Sequence, residues 1–235
     1  MVEVIKQNTH PSWHNLLIDA FKKLEPSYQE FLKSSNYLPN NNRLFNAFAM
    51  PKDEVKYILF GQDPYPREAS AIGVAFIDGA VKEIFSPTGL SKEVNRATSL
   101  RNFVKMALLA DGLIEQTSQE EIAKIDKSRL INSIYELKDN FEKNGVLLLN
   151  TALIFEDKKS SNHHAKMWQP FVKELLDKID ENIKLILFGN FAKVIEKKFN
   201  PKQKSILMEH PYNTSFIQNK EAHRLFAPMK LMAKS

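Results

Sequence analysis

Four short apolar runs, separated by longer amphipathic stretches, dominate the pattern of hydrophobic and polar positions along the chain. Each run is bounded by polar, Gly or Pro residues, and the first three are almost continuously apolar. Such runs are typical of strands buried on both faces, as in a parallel sheet. The predicted strands are VKYILF (55–60), GVLLLN (145–150), IKLILF (183–188) and SILMEH (205–210).

Helical spacing of apolar residues fills the segments around these runs. A helical stretch over 12–34 breaks at Pro26. Further helices are predicted over about 99–113, 128–143, 168–181 and 190–198. Strands alternating with helices indicate an α/β fold, which we expect to be a three-layer α/β/α arrangement with a central four-stranded, largely parallel sheet. We find no repeat or linker, so we expect residues 1–235 to form a single domain.

Composition narrows the class of protein. With 43% hydrophobic residues the chain can bury a core, and without cysteine it can form neither a disulfide nor a thiolate metal site. We find no signal peptide and no apolar stretch of membrane-spanning length, so we expect a cytoplasmic protein with no membrane partner. A net charge of +5 permits a polyanionic partner without proving one.

Three polar side chains stand at or near the carboxyl ends of predicted strands: Asp63, Asn150 and His210. Ligands of parallel sheets bind beyond that edge, so these side chains are expected to converge on one site. Each also has a purely structural interpretation. Asp63 before Pro64 can shape a turn, Asn150 can cap the segment after it, and His210 can be an ordinary loop residue.

Motifs of several other site types are missing from the sequence. There is no G-x-S-x-G elbow, no G-x-G-x-x-G dinucleotide loop and no P-loop. His163 and His164 are adjacent and therefore do not share a helix face, and no carboxylate motif frames them, so we expect no metal site.

Several linked segments resemble the motifs of the family 1 uracil-DNA glycosylases. GQDPYP (61–66) resembles that family's water-activating loop GQDPYH, and GVLLLNTAL (145–153) its strand ending in a uracil-reading Asn. HPYNTS (210–215) stands where the family has HPSPLS, its DNA-intercalating loop. REASAIGVAF, SSNHHAKMWQPF and LILFGNFAK keep the family's order and spacing, so the resemblance covers about residues 50–229.

The resemblance implies a DNA repair enzyme that flips uracil out of DNA and hydrolyses its N-glycosidic bond. The reaction leaves an abasic site and uses no metal or cofactor. On this resemblance, Asp63 and His210 are catalytic residues. The uracil-binding residues are Gln62, Tyr65, Phe76 and Asn150. The residues that contact DNA are Ser99, Thr214 and Ser215.

The chemistry of these side chains suits the implied roles. Asn150 offers a donor and an acceptor to the polar edge of uracil, and Phe76 can stack on the flipped ring. Tyr65 would occupy the space beside uracil C5, where a thymine methyl would clash. Asp63 can stabilise the cationic sugar and position water, and a neutral His210 can donate a hydrogen bond to uracil O2.

Of three departures from the family pattern, one lies in the water-activating loop and two lie in the loops that contact DNA. Pro66 replaces the family's His, Thr214 replaces its intercalating Leu, and RATSL (96–100) lacks the paired prolines before Ser99. Losing an apolar wedge should weaken flipping from duplex more than from single strands, so we expect a preference for single-stranded or weakly paired DNA. Tyr212 and Phe216 are candidate substitutes for the wedge.

Two alternatives stay open. A catalytically weak DNA-binding relative is favoured modestly by Pro66 and opposed by the retained Asp63 and His210. A glycosylase for another damaged base is opposed by the retained uracil-binding residues. We expect a monomer that acts on uracil-containing DNA, and the resemblance adds the family's protein inhibitor as a candidate partner.

Overall fold

The structure, a computed structural model, describes residues 1–234 and has two compact units. The first unit comprises Met1–Asp78 and Gly145–Ile206, and the second comprises residues 79–144 and the segment from Leu207 onward. The chain therefore leaves the first unit after Asp78, returns at Gly145 and leaves again after Ile206. The single domain over 1–235 stays a prediction.

The predicted α/β fold with a central parallel sheet of four strands, flanked by helices, is confirmed. The strands are β1 (Tyr57–Gly61), β2 (Phe85–Ser86), β3 (Gly89–Leu90), β4 (Val146–Asn150), β5 (Lys184–Phe188) and β6 (Ser205–Met208). The central sheet has the order β4-β1-β5-β6, and β1 pairs in parallel with both β4 and β5. In the second unit, β2 and β3 form a short antiparallel pair.

Each unit also contains several α-helices. In the first unit they are α1 (Val2–Asn8), α2 (His14–Lys22), α3 (Pro26–Ser34), α8 (Ser161–Met167), α9 (Gln169–Lys178) and α10 (Phe191–Phe199). In the second they are α4 (Lys92–Arg96), α5 (Thr98–Ala110), α6 (Gln119–Lys124), α7 (Ile134–Lys143) and α11 (Lys220–Phe226). Among residues 1–234, no helix is both long and apolar enough to cross a membrane.

The core of the first unit is built on the apolar strands. Every residue of β4 is buried, and the register with β1 runs from Tyr57 opposite Val146 to Gly61 opposite Asn150. Burying one Leu or Ile side chain contributes about 1.5–3 kcal/mol, so these near-continuous apolar runs hold the parallel pairing firmly. The carboxyl ends of β1 and β4 are thereby fixed side by side.

The predicted helix over 128–143 begins too early. Helix α7 begins at Ile134, because Ser133 and Glu136 form a capping box in which each side chain accepts a hydrogen bond from the other's backbone N–H. The residues before it pair with the end of the chain instead, since the Ile131 N–H donates to the Met232 carbonyl at 3.0 Å. Tertiary pairing has overridden helical spacing there.

Candidate functional site

The loop after β1 is bonded to the end of β4 in the first unit. The Thr151 N–H donates to the Gly61 carbonyl, and the Ala152 N–H donates to the Gln62 carbonyl, each at 3.0 Å. The Thr151 hydroxyl also donates to the Gln62 carbonyl at 3.0 Å. These bonds continue the parallel pairing past both strands, so Asp63 is presented from a fixed turn. Gln62 takes part through its backbone, while its side chain is exposed.

Gly61 makes room for the Asn150 side chain. A Cβ atom on Gly61 would lie 2.2 Å from Asn150 Oδ1 and 3.0 Å from the Ala75 Cβ. Asn150 is buried, so its amide has little space to move elsewhere. This role of Gly61 was not predicted from the sequence, where only its position directly before Gln62 was visible.

Phe76 has a left-handed backbone conformation, with φ at 68°. For a bulky residue other than glycine this costs about 1–3 kcal/mol, and such strain clusters at functional sites. Its carbonyl accepts a hydrogen bond from the Tyr65 hydroxyl at 3.3 Å. The preceding Ala75 N–H donates to the Leu148 carbonyl at 3.1 Å, and the Phe76 ring centroid lies 6.3 Å from that of Phe188. The first unit thus ties Phe76 to both Tyr65 and β4.

Tyr65 remains a neutral phenol. Burial raises the pKa of Tyr65 to about 12, with a further rise from the Asp78 carboxylate that the Arg67 guanidinium opposes. Arg67 Nη2 and Asp78 Oδ2 form an ion pair at 3.3 Å. The Tyr65 hydroxyl therefore keeps its proton at any physiological pH and can donate its hydrogen bond to the Phe76 carbonyl.

Asp63 is half-buried at the mouth of β1. Burial raises the pKa of its carboxyl, and interactions with the Ser161 hydroxyl and with its own backbone N–H act in the opposite direction. Ser161 is the first residue of α8 and was not singled out from the sequence. A carboxylate that is partly withdrawn from water stabilises a nearby positive charge more strongly than an exposed one does.

The remaining predicted site residues belong to the second unit. Among them, His210 has a defined tautomer. The Tyr212 N–H donates to His210 Nδ1 at 3.0 Å, so the ring proton of the neutral imidazole is on Nε2. Partial burial lowers the pKa of His210, which favours that neutral form at pH 7. Convergence of His210 with Asp63 and Asn150 stays a prediction.

The HPYNTS loop is anchored from α5. Asn102 Nδ2 donates to the Pro211 carbonyl at 2.8 Å and to the Tyr212 carbonyl at 3.3 Å. Tyr212 itself is 67% exposed, whereas Phe216 is fully buried and stacks on Phe103 within the second unit. Of the two candidate wedges, only Tyr212 is therefore available to a partner without unpacking the core.

The predicted DNA contacts differ in their surroundings. The Ser215 hydroxyl donates a hydrogen bond to the carboxylate of Glu209, which also accepts one from Asn219 Nδ2 at 3.3 Å. Thr214 is exposed. Ser99 is the second residue of α5, a helix with neither a side-chain cap nor an acidic residue in its first turn. A phosphate is favoured near such a helix start, while Glu209 disfavours one beside Ser215.

The sequence profile of the uracil DNA glycosylase superfamily matches residues 48–228. The chain belongs to this superfamily. A uracil-DNA glycosylase from Fusobacterium nucleatum is 30% identical over 204 residues, which are 83% of this chain and 77% of that relative. The resemblance drawn from the GQDPYP, GVLLLNTAL and HPYNTS segments is therefore confirmed.

Solved structures extend the superfamily likeness over almost the whole chain. The UNG crystal structure from Nitratifractor salsuginis is 48% identical, with a TM-score of 0.96, and covers 99% of this chain and 96% of its own. Mimivirus UNG Y322L in complex with UGI is 18% identical with a TM-score of 0.56, covering 88% of this chain and 72% of its own, which shows the fold alone. In residues 1–234, no group of three or more His, Cys, Asp or Glu side chains could hold a metal ion.

Proposed function

We propose that this chain removes uracil from DNA by hydrolysing the N-glycosidic bond, with Asp63 and His210 as the catalytic residues. Uracil excision is the activity that its superfamily, the Fusobacterium nucleatum relative and the Nitratifractor salsuginis structure support. The observation that carries the residue assignment is the buried Asn150 amide, which lies against Gly61 with Asp63 two residues further along. DNA repair by base excision is the process in which such an enzyme acts.

Recognition of the base is assigned to the first unit. The Asn150 amide can accept from uracil N3–H and donate to uracil O4, and cytosine presents the opposite pattern at these atoms. Phe76 supplies the ring on which the flipped base stacks. Tyr65, whose hydroxyl is committed to the Phe76 carbonyl at 3.3 Å, is the side chain that we assign to excluding the thymine methyl group.

Cleavage separates charge between the two products. The C1′–N1 bond breaks with its electron pair leaving on uracil, and the Nε2–H of His210 donates a hydrogen bond to O2, where negative charge develops. The sugar becomes an oxocarbenium ion, which the Asp63 carboxylate stabilises. A water oxygen then bonds to C1′, and Asp63 accepts the water's proton before releasing it to solvent. His210 stays neutral throughout this sequence.

Single-stranded DNA is the proposed preferred substrate, bound by a monomer. The preference rests on Thr214, since a small polar side chain cannot fill the space of an extruded base as an apolar wedge does. Tyr212 is proposed to insert into the base stack of duplex DNA in place of the apolar wedge, because it is 67% exposed on a loop anchored by Asn102. Ser99 and Ser215 are proposed to contact phosphates, which position the strand without reading its sequence.

The family's protein inhibitor is a proposed partner. The support is the mimivirus UNG Y322L structure, which is a complex with UGI. Titrating UGI into the uracil-release reaction tests the proposal. Full activity at a large molar excess of UGI would remove the inhibitor from the set of partners.

The test of the function is uracil release from matched single-stranded and double-stranded oligonucleotides. Wild type should release free uracil and leave an abasic site, and Asp63→Ala should lower the rate at least 100-fold. Asp53→Ala is the matched control, since Asp53 is an exposed carboxylate of the same unit. A folded wild type that binds the oligonucleotides without releasing uracil would instead indicate the DNA-binding relative. Release only from oligonucleotides with other damaged bases would indicate the second alternative.

A further inference from the structure

A polar cavity of about 520 Å³ lies in the second unit, beside the HPYNTS loop. Thr214 of that loop lines it, together with Thr117 and Gln218. Arg101 and Lys105 of α5 also line it. None of the residues that line this cavity is acidic.

Arg101 and Lys105 are two like charges one helical turn apart. Residues four apart on a helix are neighbours, so these cations repel one another and weaken α5 slightly unless a third group offsets them. Within residues 1–234, neither takes part in a salt bridge. Both are half-buried, which withdraws part of their hydration.

The Arg101 guanidinium is held in a fixed direction. Its Nη1 donates to the Asn95 carbonyl at 2.9 Å, and its Nε donates to Asn102 Oδ1 at 3.4 Å. Burial and the Arg101 charge lower the pKa of Lys105, so the pair is costly to keep fully charged. An anion in the cavity would relieve that cost, because it attracts both cations at short range in a partly desolvated space.

We propose that this cavity binds a phosphodiester group of the DNA substrate, with Arg101 and Lys105 as its charged ligands and Thr214 as a hydroxyl donor. The proposal rests on the proposed function. The hydroxyls of Thr117 and Thr214 and the amide of Gln218 are all groups that can donate to phosphate oxygens. Such a site also accounts for a hydroxyl at 214, where the family has Leu, because a leucine there could not donate a hydrogen bond.

DNA is the favoured source of the anion because of what surrounds the cavity. Thr214 belongs to the loop that is predicted to enter the DNA, and Ser99, a predicted phosphate contact, lies on the same helix as both cations. A strand that runs along this loop would bring more than one phosphate past α5. Binding of this kind weakens as salt rises, because each neutralised phosphate releases condensed counterions.

The test compares Lys105→Gln and Arg101→Gln with Lys124→Gln, which removes the same charge from an exposed position on α6 outside the cavity. Uracil release from a single-stranded oligonucleotide is measured over a range of salt concentrations. Each cavity variant should raise KM about tenfold while kcat at saturating substrate is unchanged. The slope of log affinity against log salt should fall by about 0.7 for one lost contact to a single strand. Lys105→Arg should keep wild-type KM, and thermal unfolding checks that every variant is folded.

Inorganic phosphate separates the two sources of the anion. At constant ionic strength it should raise the KM of wild type and leave that of Lys105→Gln unchanged. The proposal is overturned if Lys105→Gln has the KM and salt slope of Lys124→Gln, even if inorganic phosphate binds to the wild-type cavity. It is also overturned if the cavity variants lower kcat and leave KM unchanged. Should wild type release no uracil, the proposed function fails, and fluorescence anisotropy of the same labelled oligonucleotide still tests the cavity. Equal affinity of wild type and Lys105→Gln would then overturn it.

Discussion

Gly61 and Asn150 are partners in the parallel register of β1 and β4, and the Asn150 Oδ1 atom occupies space that a Cβ on Gly61 would need. The absence of a side chain at Gly61 thus leaves the space that the Asn150 amide occupies. Because the backbone on both sides is bonded, with the Thr151 N–H donating to the Gly61 carbonyl at 3.0 Å, neither strand can move away to accommodate a larger residue.

Gly61→Ala should therefore impair recognition. The new methyl group would collide with the Asn150 amide, and misplacement of a site group by about 1 Å costs about 10²-fold in rate. Uracil release under single-turnover conditions measures the effect. Gly112→Ala is the control for steric contact, since its Cβ would meet nothing within 4 Å, and its positive φ of 70° adds a backbone cost that Gly61 does not have. A Gly61→Ala enzyme with wild-type rate would contradict the proposed role of the pair.

Asp63→Asn should lower the rate of uracil release and raise the thermal stability of the protein. Burial raises the pKa of Asp63 in the folded protein, so the ionised carboxylate opposes folding at pH 7 and the protonated form does not. The variant should have the higher Tm at pH 7, and the difference should vanish as the pH falls below about 4, the ordinary pKa of an Asp carboxyl. Uracil release should fall at least 100-fold. A lower Tm for Asp63→Asn at pH 7 would contradict the sign of this effect.

Wild-type activity should also fall in acid at a pH above the ordinary Asp value. The proposed mechanism needs the Asp63 carboxylate, whose pKa burial raises, and a neutral His210, whose pKa burial lowers. The two shifts bring the transitions closer together, so one broad acid limb is expected in kcat/KM between about 4 and 6.5. A pH–rate profile of wild type and of Asp53→Ala provides the comparison, and an acid limb above the ordinary His value would argue against a neutral His210.

Tyr65→Ala should admit thymine to the site. Removing the ring empties the space assigned to the pyrimidine C5 substituent, so slow release of thymine from ordinary DNA is expected. Tyr65→Phe is the matched control, because it keeps the ring and loses only the hydrogen bond to the Phe76 carbonyl. Chromatography of the released bases distinguishes them. If Tyr65→Ala releases uracil and no thymine, the methyl group is excluded by another residue.

Tyr212 and Thr214 should act on duplex opening rather than on chemistry. Tyr212→Ala should lower uracil release from duplex about tenfold and change release from single strands little, because only duplex DNA requires the base to be unpaired from its partner strand. Thr214→Leu should raise the duplex rate relative to the single-stranded rate. Equal losses on both substrates for Tyr212→Ala would show that this ring contributes to general binding.

Glu209→Gln should strengthen DNA binding. The Glu209 carboxylate accepts a hydrogen bond from the Ser215 hydroxyl, so a phosphate at Ser215 faces a like charge. Gln keeps an oxygen acceptor for Ser215 and removes the charge, and we expect KM for a single-stranded oligonucleotide to fall several-fold at low salt. The gain should disappear at high salt, where such repulsion is screened. Glu115→Gln is the control, since it makes the same change elsewhere in the second unit.

The four strands of the central sheet could be predicted because their signals are local, whereas the roles of the first-unit site residues stay a prediction. An apolar run followed by GQD indicates a buried strand with a polar mouth, and GVLLLN indicates the same for Asn150. The short helices α1, α4, α6, α8 and α11 could not, since none exceeds seven residues and periodicity needs a longer window.

Other features depend on contacts that no local pattern reveals. The left-handed φ of Phe76, the protonated nitrogen of His210 and the pairing of Ser215 with Glu209 each depend on the conformation of a loop, which the residue types alone do not reveal. The role of Gly61 is intermediate. Its position before Gln62 is evident from the sequence, but its contact with the Asn150 amide could be recognised only from the register of β1 and β4. The cationic cavity likewise required α5 and the HPYNTS loop to be placed in three dimensions.

The long excursion between β1 and β4 has a consequence for how the enzyme comes into being. Tyr57 pairs with Val146 only after the whole of residues 79–144 has been made, which gives the first unit a sheet of high contact order. A nascent chain that stops before Gly145 already contains the complete GQDPYP loop, yet it lacks the strand to which that loop is bonded. Such a chain therefore lacks the backbone bonds from Thr151 and Ala152 that hold the GQDPYP loop in the folded protein.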